Sequence, residues 1–537
     1  MDTSKTNGKN AELKAQLLDK VEESLNVLKT GNDYLSMILT ANVYDAAVET
    51  PLTPAVNLSS KLNNNILLKR EDLQPIFSFK IRGAYNKLSN LTEEEKSRGV
   101  IACSAAMAAQ SLGIKATIVM PVSTPEIKWK NVQRMGGTVV LHGEDFDSAK
   151  MECERLAKEK GYVNIHPFDD PYVIAGQGTI GVEILRQAKP QEIYAIFAAV
   201  GGGGLIAGIA AYIKRICPHI KVIGVEAIDS DAMHQALESG YNKLIGEVGL
   251  FAEGAAVRQV GAETYRVASE YVDEIVLVTN DEICSAIKDV FDDTRSVLEP
   301  AGALGVAGMK KYAQMNDLKN KTLISVASGA NINFNRLRFV AERAEVGEGS
   351  EAMLSVMVPE LPGSFYRLYQ IIHPRNVTEF SYRYSDPKIG RIFMAFNLQD
   401  RTAELPKLLQ EMKNEGFQPM DISDNEFAKD HARYMIGGRS EVSHEHLISF
   451  TFPERPGALY RFLSGMRLNW NISLFHYRNY GHDFAKVLVG IQVPPDSTTN
   501  FQTIDELPPS LVNYLENLKY RYKIETQNPI YQSHFRC

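Results

Sequence analysis

Lys80 is the residue whose setting most suggests chemistry. It lies between Phe79 and Ile81 in the run Ser-Phe-Lys-Ile-Arg-Gly-Ala, where the sequence predicts a helix start. Apolar neighbours and the positive end of a helix both favour an uncharged amine, the form that attacks a carbonyl to make a Schiff base. A lone lysine is usually a solvated surface group, so this candidate depends on the motifs around it.

A run of four glycines is the second chemical signal. Gly201, Gly202, Gly203 and Gly204 precede Leu205, with an apolar strand before them and an apolar helix after them. Backbone N–H groups at such a helix start approach a phosphate closely. The loop also fits the G-x-G-x-x-A fingerprint of dinucleotide sites, with a glutamate at position 226 about twenty residues on, so an NAD-dependent oxidoreductase remains an alternative at this point.

Ser328 is the third signal, because it opens a Ser-Gly-Ala-Asn turn directly after a β-rich run. A serine hydroxyl at the ligand-facing edge of a sheet can bond to a pyridine nitrogen without protonating it. The ring would then be a weaker electron sink. Because a Ser-Gly turn after a strand is common, Ser328 is a candidate only together with Lys80 and the glycine loop.

The elements that must position these residues alternate between short strands and helices. The β-rich runs between residues 43 and 330 are 66–69, 116–120, 138–141, 193–200, 221–226 and 323–327. This rhythm predicts a parallel sheet with helices on both faces. Ligands of such folds bind at the carboxyl ends of the strands, where the candidate residues stand.

The C-terminal part contains a repeat. Residues 343–352 are polar with two glycines and predict a linker, after which VPELPGSFYRLYQII begins at Val358 and FPERPGALYRFLSGM begins at Phe452. Each copy predicts a βαββαβ-like domain. A duplicated scaffold is the plain interpretation, whereas the Pro-Gly turn at a helix start favours a pair of ligand-sensing domains.

Composition limits the classes of function. A length of 537 residues predicts several domains, and 44% apolar with 23% charged residues is ordinary for globular proteins. A net charge of -7 disfavours nucleic acid and membranes as partners. The five cysteines lack CxxC spacing, which predicts no metal site and no disulfide framework. Residues 1–30 mix lysines with acids and contain no arginine, so we expect a cytoplasmic protein.

Several motifs together resemble one family. They are SFKIRGA, TPEIK at 124–128, IHPFDDPYVIAGQGTIGVEI at 165–184, GGGGL, EPAGA at 299–303 and SGAN. In combination they are similar to biosynthetic threonine dehydratases, which are fold-type II pyridoxal-phosphate enzymes. The implied fold is an α/β catalytic unit of the tryptophan synthase β-like type with two α+β ACT-like regulatory domains.

The resemblance implies a role for each candidate. Pyridoxal 5'-phosphate would be the cofactor, with Lys80 as Schiff-base lysine and then as base, Phe79 beside the ring, and Ser328 at the ring nitrogen. The phosphate would be held by Gly201, Gly202, Gly203, Gly204 and Leu205. Ser104 would bind the substrate. The implied reaction is deamination of L-threonine, with L-serine as a second substrate, to a 2-oxoacid and ammonia; with threonine the product is 2-oxobutanoate, in the first step of isoleucine biosynthesis.

The resemblance also implies regulation and domain limits. Isoleucine and valine would be the effectors, in a homotetramer or homodimer. The effector-site candidates are Glu360, Gly363, Glu454 and Gly457, with Tyr382, Arg383, Tyr477 and Arg478 as weaker ones. The implied domains are an N-terminal extension 1–32, a catalytic domain 33–340 with a small subdomain at about 85–175, a linker 341–351, and ACT-like domains at 352–438 and 446–537.

One loop departs from the family pattern. Threonine dehydratases carry a sequence close to Ser-Ala-Gly-Asn-His-Ala-Gln-Gly between a strand and a helix, and this chain matches it only at Ser104 and Ala105. Because the absent residues would contact cofactor and substrate, we expect weak activity unless another segment fills the gap. A catalytically impaired amino-acid sensor is therefore an alternative function.

Overall fold

A computed structural model of the chain describes residues 33–102, 106–122, 124, 126–134, 136–143, 146–359, 361, 364–375, 377–382, 388–432, 444–453, 461–462, 465–466, 470–478, 484–493 and 507–536. The N-terminal extension 1–32 lies outside these residues. So do Ser104, Arg383 and the four effector-site candidates Glu360, Gly363, Glu454 and Gly457.

The N-terminal half alternates strands and helices. Its described strands are β1 (Leu52–Pro54), β2 (Asn65–Lys69), β3 (Val100–Ala102), β4 (Ala116–Met120), β5 (Thr138–Leu141), β6 (Val163–Ile165), β7 (Ile193–Ala199), β8 (Lys221–Ala227), β9 (Glu274–Val278) and β10 (Thr322–Val326). Its described helices are α1 (Tyr34–Leu39), α2 (Val56–Leu62), α3 (Lys80–Ser89), α4 (Glu93–Arg98), α5 (Ala106–Ser111), α6 (Glu126–Arg134), α7 (Phe146–Lys160), α8 (Pro171–Gln187), α9 (Gly204–Ile216), α10 (Ala232–Ser239), α11 (Ala262–Tyr271), α12 (Asn280–Thr294), α13 (Pro300–Met315) and α14 (Leu337–Glu348).

These strands form two sheets. The larger has the order β1-β2-β10-β7-β8-β9 and the smaller β5-β4-β3-β6. All pairs are parallel except β1 with β2. The parallel α/β sheet expected from the sequence is confirmed, but strands that follow one another along the chain are divided between two sheets. Alternation alone cannot reveal that division, because the chain leaves the larger sheet after β2 and returns to it at β7.

Helices cover both faces of the larger sheet. One apolar layer includes Leu58 of α2 and Ile283 of α12, and the opposite layer includes Ile174 of α8 and Ile209 of α9. Helices α8 and α9 approach so closely that a Cβ on Gly208 would lie 2.3 Å from the carbonyl oxygen of Ile174. A buried sheet with both faces covered explains the nearly continuous apolar strands.

The C-terminal half consists of two similar copies. The described elements of the first copy are β11 (Glu351–Pro359), α15 (Ser364–Ile372), β12 (Val377–Tyr382), β13 (Ile389–Asn397), α16 (Arg401–Asn414), β14 (Gln418–Asp421) and α17 (Glu426–Asp430). Those of the second copy are β15 (Glu445–Pro453), β16 (Asn471–Arg478), β17 (Phe484–Gln492), α18 (Pro509–Leu518), β18 (Arg521–Ile524) and α19 (Pro529–His534). The sheet orders correspond, β12-β13-β11-β14 and β16-β17-β15-β18.

The two copies share an apolar core. Met353 and Ala395 of the first sheet join Leu447 and Leu488 of the second in one buried cluster. The end helices α17 and α19 contribute further apolar side chains to it. Neither end helix was predicted from the sequence, and both serve to close the space between the two sheets.

The linker expected at 341–351 is corrected by the structure. Helix α14 continues to Glu348 and β11 begins at Glu351, so only Gly349 and Ser350 connect them. The polar composition was misleading because Arg343 is buried, forming ion pairs with Asp281 and neighbouring carboxylates.

Candidate active site

Lys80 is the first residue of α3, and a hydrogen bond ties its helix to the end of β10. The backbone N–H of Phe79 donates to the carbonyl oxygen of Ser328 at 3.2 Å. The Lys80 residue is partly buried, and its Nζ donates an exposed hydrogen bond to the carbonyl oxygen of Gly254 at 3.5 Å. The amine therefore lies at the carboxyl edge of the larger sheet.

Ser328 follows β10 at the same edge. It is 4% exposed, and its hydroxyl donates to the carbonyl oxygen of Ala301 at 3.3 Å. A bridge between Ser78 and Gly329 runs antiparallel beside it. The structure thus brings Ser328 and Lys80 together, although many residues separate them in the sequence.

The glycine loop joins β7 to α9 without room for side chains. A Cβ on Gly202 would lie 2.2 Å from ring carbons of Phe168, and a Cβ on Gly201 would lie 2.8 Å from Cα of Ala255. Gly203 has φ of 96°, a left-handed conformation that glycine adopts most easily, and it caps α9. The first N–H groups of a helix have no partner within it. This close-fitting loop at a helix start fits a phosphate group of a cofactor.

Phe168, which forms one wall of the loop, is held by its neighbours. Its ring meets His166 edge to face, with centroids 4.8 Å apart. The His166 Nδ1 accepts the N–H of Asp169 at 2.9 Å, and burial lowers the pKa of this histidine. Burial therefore favours the neutral form of His166, which accepts a backbone hydrogen bond and packs against Phe168.

A buried ion network fixes the helix that carries Lys80. Arg82, two residues along α3, pairs with Glu71 at 2.7 Å and with Glu183 at 2.6 Å, and Lys69 also pairs with Glu183. Burial acts to raise the pKa of Glu183, but its pairs with Arg82 and Lys69 outweigh that effect and leave it lowered. The network joins α3 to β2 and α8, so it restricts where Lys80 can lie.

Two residues beside the site were missed by sequence reasoning. Gly254 supplies the carbonyl that faces Lys80, and a backbone contact of this kind leaves no sequence signal. Glu299 lies beside the Ser328 turn, since a Cβ on Gly329 would be 2.3 Å from its Oε1. The motif EPAGA contains Glu299, and its position at the N-cap of α13 could have indicated this edge of the sheet.

Glu226 does not have the free position that a dinucleotide site requires. Its carboxylate accepts the N–H of Met233 at 2.9 Å and of His234 at 2.8 Å, at the start of α10. Burial raises the pKa of Glu226 to about 8. A carboxyl group used in this way is not available to a ribose, which disfavours the NAD alternative.

Comparison with known proteins agrees with this geometry. Residues 43–329 match the family model described as pyridoxal-phosphate dependent enzyme. Residues 342–432 and 437–535 match the C-terminal regulatory domain of threonine dehydratase. The mitochondrial threonine dehydratase of Saccharomyces cerevisiae is 52% identical, over 95% of this chain and 91% of that enzyme.

The chain belongs to the threonine dehydratase family of pyridoxal-phosphate dependent enzymes.

Other threonine dehydratases support the same membership. The biosynthetic L-threonine dehydratase of Burkholderia multivorans is 50% identical, over 93% of this chain and 99% of the relative. The solved structure of processed threonine deaminase isoform 2 from Solanum lycopersicum has a TM-score of 0.57 and 47% identity, covering 58% of this chain and 88% of that one. The cofactor is therefore pyridoxal phosphate, and the residues at the glycine loop fit its phosphate.

Family membership also decides between the alternatives. The fold-type II catalytic unit with C-terminal regulatory domains is confirmed. Similarity through both halves favours a lyase over an NAD-dependent oxidoreductase or a non-catalytic sensor. Within the part of the chain that the structure describes, no helix has the length and apolar character needed to cross a membrane.

Proposed function

We propose that this chain is a threonine ammonia-lyase that converts L-threonine to 2-oxobutanoate and ammonia, in the first step of isoleucine biosynthesis. The observation that carries this proposal is the convergence of Lys80, residues 201–205 and Ser328 at the carboxyl edge of one sheet. The names of the similar enzymes support threonine as the substrate. L-Serine, which lacks one methyl group, is the second substrate we propose.

Each residue has a defined task in the reaction. Bound pyridoxal phosphate supplies the electron sink for the bond that breaks at the α-carbon. Lys80 holds the cofactor through its amine and afterwards accepts the α-proton at Nζ. The backbone of Gly201, Gly202, Gly203, Gly204 and Leu205 would hold the phosphate, Phe79 would flank the ring, and the Ser328 hydroxyl would be the partner of the ring nitrogen. Ser104 binds the substrate carboxylate.

The test is formation of 2-oxobutanoate by the purified chain with pyridoxal phosphate and L-threonine. We expect the product from the parent chain and none from Lys80→Ala. Lys96→Ala is the matched control, because Lys96 pairs with Glu93 on the surface helix α4 and lies away from the site. Borohydride treatment followed by peptide mass analysis should find the cofactor on Lys80. Product formation by Lys80→Ala at the parent rate would contradict the proposal.

The regulatory half extends this proposal to effectors and assembly. Isoleucine would inhibit and valine would oppose it, at the turns that contain Glu360, Gly363, Glu454 and Gly457. The match to the regulatory domain of threonine dehydratase supports a regulatory role for this half. The test of these sites measures threonine turnover at increasing concentrations of isoleucine and of valine. It compares the parent with Glu360→Ala and Glu454→Ala. Light scattering tests the homotetramer or homodimer.

The proposed location is the cytoplasm, based on the acidic residues among positions 1–30. The yeast relative carries the word mitochondrial in its name, so the compartment needs a direct test. Cell fractionation with an antibody to this chain would provide it. Recovery with mitochondria or plastids would exclude the cytoplasm.

A further inference from the structure

The segment 251–254 lies against the Lys80 amine. The carbonyl oxygen of Gly254 accepts the hydrogen bond from Lys80 Nζ at 3.5 Å. A Cβ on Gly254 would lie 4.0 Å from that nitrogen and 3.0 Å from Cβ of Ala301, so little space surrounds the segment. Movement of this segment would therefore change the hydrogen bond between the Lys80 amine and the Gly254 carbonyl oxygen.

Arg336 holds the segment at two points. Its Nη1 donates to the carbonyl oxygen of Phe251 at 3.2 Å, and its Nη2 donates to the Glu253 carboxylate at 3.2 Å. Arg336 is 4% exposed and stands at the N-cap of α14. A planar guanidinium that binds two groups fixes the orientation of its partner as well as the distance.

The same helix presents two further side chains on this face. Phe339 packs on Phe251, with ring centroids 5.0 Å apart. The guanidinium of Arg343 lies over the Phe339 ring at 5.0 Å. Positions three and four apart lie on one side of a helix. The face formed by Arg336, Phe339 and Arg343 therefore runs from the catalytic site along α14.

The far end of this face is bound by the first regulatory copy. Arg343 is buried and pairs with Asp430 at 2.7 Å and with Glu426 at 2.9 Å, both on α17. It also pairs with Asp281 of the catalytic half at 3.0 Å. Separating a buried arginine from its carboxylates is costly, so α14 and α17 must move together.

We propose that Arg336 is a positioning residue for Lys80, and that α14 transmits the state of the first regulatory copy to that lysine. A shift of α17 displaces Arg343, the rigid helix carries Arg336 with it, and the Gly254 carbonyl moves relative to the Lys80 amine. This inference rests on the role of Lys80 proposed above and adds the route by which regulation reaches it.

The first experiment tests Arg336 through two readouts. One is the rate at which the apoenzyme recombines with pyridoxal phosphate, followed by absorbance, and the other is kcat against KM for threonine. Arg336→Met should slow recombination and lower kcat by about tenfold or more, with KM within about twofold of the parent, because a displaced group costs rate more than binding. The recombination rate and kcat of Arg336→Lys should lie between those of the parent and Arg336→Met. One ammonium group can replace only one of the two contacts, to the Phe251 carbonyl or to the Glu253 carboxylate.

The control for Arg336 comes from the same helix. Arg338 is 67% exposed and pairs with Glu342 one turn along α14, so Arg338→Gln should leave both readouts unchanged. Glu253→Gln, which weakens one of the two contacts, covers the case in which Arg336→Met does not fold. If Arg336→Lys and Glu253→Gln recombine with the cofactor as fast as Arg338→Gln, Arg336 does not position Lys80. Recombination is measured without turnover, so this result stands even if threonine is not the substrate.

The second experiment tests transmission through α14. Asp430→Asn, or the milder Glu426→Gln, should change the recombination rate by about threefold or more, although both residues belong to the regulatory copy. Glu404→Gln is the matched control, because Glu404 pairs with Arg375 inside the same copy. Equal recombination rates in the parent, Glu426→Gln and Glu404→Gln would overturn the transmission.

Discussion

At the scale of single residues, Gly202 allows a sharp test of the cofactor loop. In Gly202→Ala the new methyl group would meet the Phe168 ring at 2.2 Å, so either the ring or the loop must shift. Overpacking of this kind costs about 1–3 kcal/mol, and we expect the affinity for pyridoxal phosphate to fall by about tenfold. Absorbance titration measures the affinity and thermal unfolding measures the stability.

Gly246 supplies the matched control. A Cβ added there would meet no atom within 4 Å, so Gly246→Ala should leave both affinity and stability near the parent values. If the two glycine variants bind the cofactor equally well, the loop does not form the phosphate site.

Glu226 should make the stability of the protein depend on pH. Burial raises its pKa from 4.5 to about 8 in the folded state. Between these values the folded chain keeps a proton that the unfolded chain releases, so stability falls as pH rises through this window. Glu226→Gln removes the titration. We expect the melting temperature of the variant, relative to the parent, to rise between pH 5 and pH 8.5, and a constant difference would contradict this.

Residue types alone predicted only part of the site. Lys80, Ser328 and the glycines have short-range signals, because a reactive amine, a strand-end hydroxyl and a phosphate loop each need a particular local sequence. Gly254 and Arg336 have none, since their role is a contact between segments distant along the chain. The functions of Lys80, Ser328, the glycine loop, Ser104 and the four effector-site candidates all stay predictions.

At the scale of elements, local patterns predicted the strands, whereas a separate unit at about 85–175 was expected only from the resemblance. Strands β4 and β5 have the bounds expected from their apolar runs. Their place in a second sheet depends on side-chain packing across the molecule, which local periodicity does not record. Helices α17 and α19, of 5 and 6 residues, are too short for a helical period to be recognised.

The short connection between β3 and α5 carries the prediction at this scale. Strand β3 ends at Ala102 and α5 begins at Ala106, which leaves three residues where the family has a longer loop. Inserting roughly seven loop residues of the family pattern after Ala105 should raise threonine turnover by about tenfold or more, by restoring groups that orient the cofactor and substrate.

An insertion of equal length made of glycine and serine is the control for this experiment. It restores the length without the side chains, and it should leave turnover near that of the parent. If the parent already turns over threonine as fast as the repaired chain, another segment performs the work of the loop.

At the scale of the whole molecule, a charged cluster joins the catalytic and regulatory halves. Arg343 pairs with Asp281 from the catalytic half and with Glu426 and Asp430 from the first regulatory copy. Lys429 pairs with Asp281 and Glu426. Burial raises the pKa of Asp430 even though Arg343 acts to lower it. The ion pair with Arg343 therefore favours the charged form of the Asp430 carboxyl group, which burial disfavours.

Removal of that arginine should lower the free energy of unfolding, because it breaks the ion pairs between the two halves. Arg343→Met leaves Asp430 charged and buried without its closest positive partner, and breaking such a pair costs about 3–5 kcal/mol. Urea unfolding at pH 7 should show this loss, whereas Arg338→Met, on the exposed side of the same helix, should stay close to the parent.

The stability loss of Arg343→Met should also depend on pH. The pKa of Asp430 is already raised in the folded state and would rise further without Arg343. The variant is therefore destabilised most above that pKa, and the destabilisation decreases as pH falls and the carboxyl group takes up a proton. The deficit should therefore be smaller at pH 4.5 than at pH 7. A deficit that is the same at both pH values would mean that the cost comes from lost packing of the arginine side chain and not from the loss of its ion pair with Asp430.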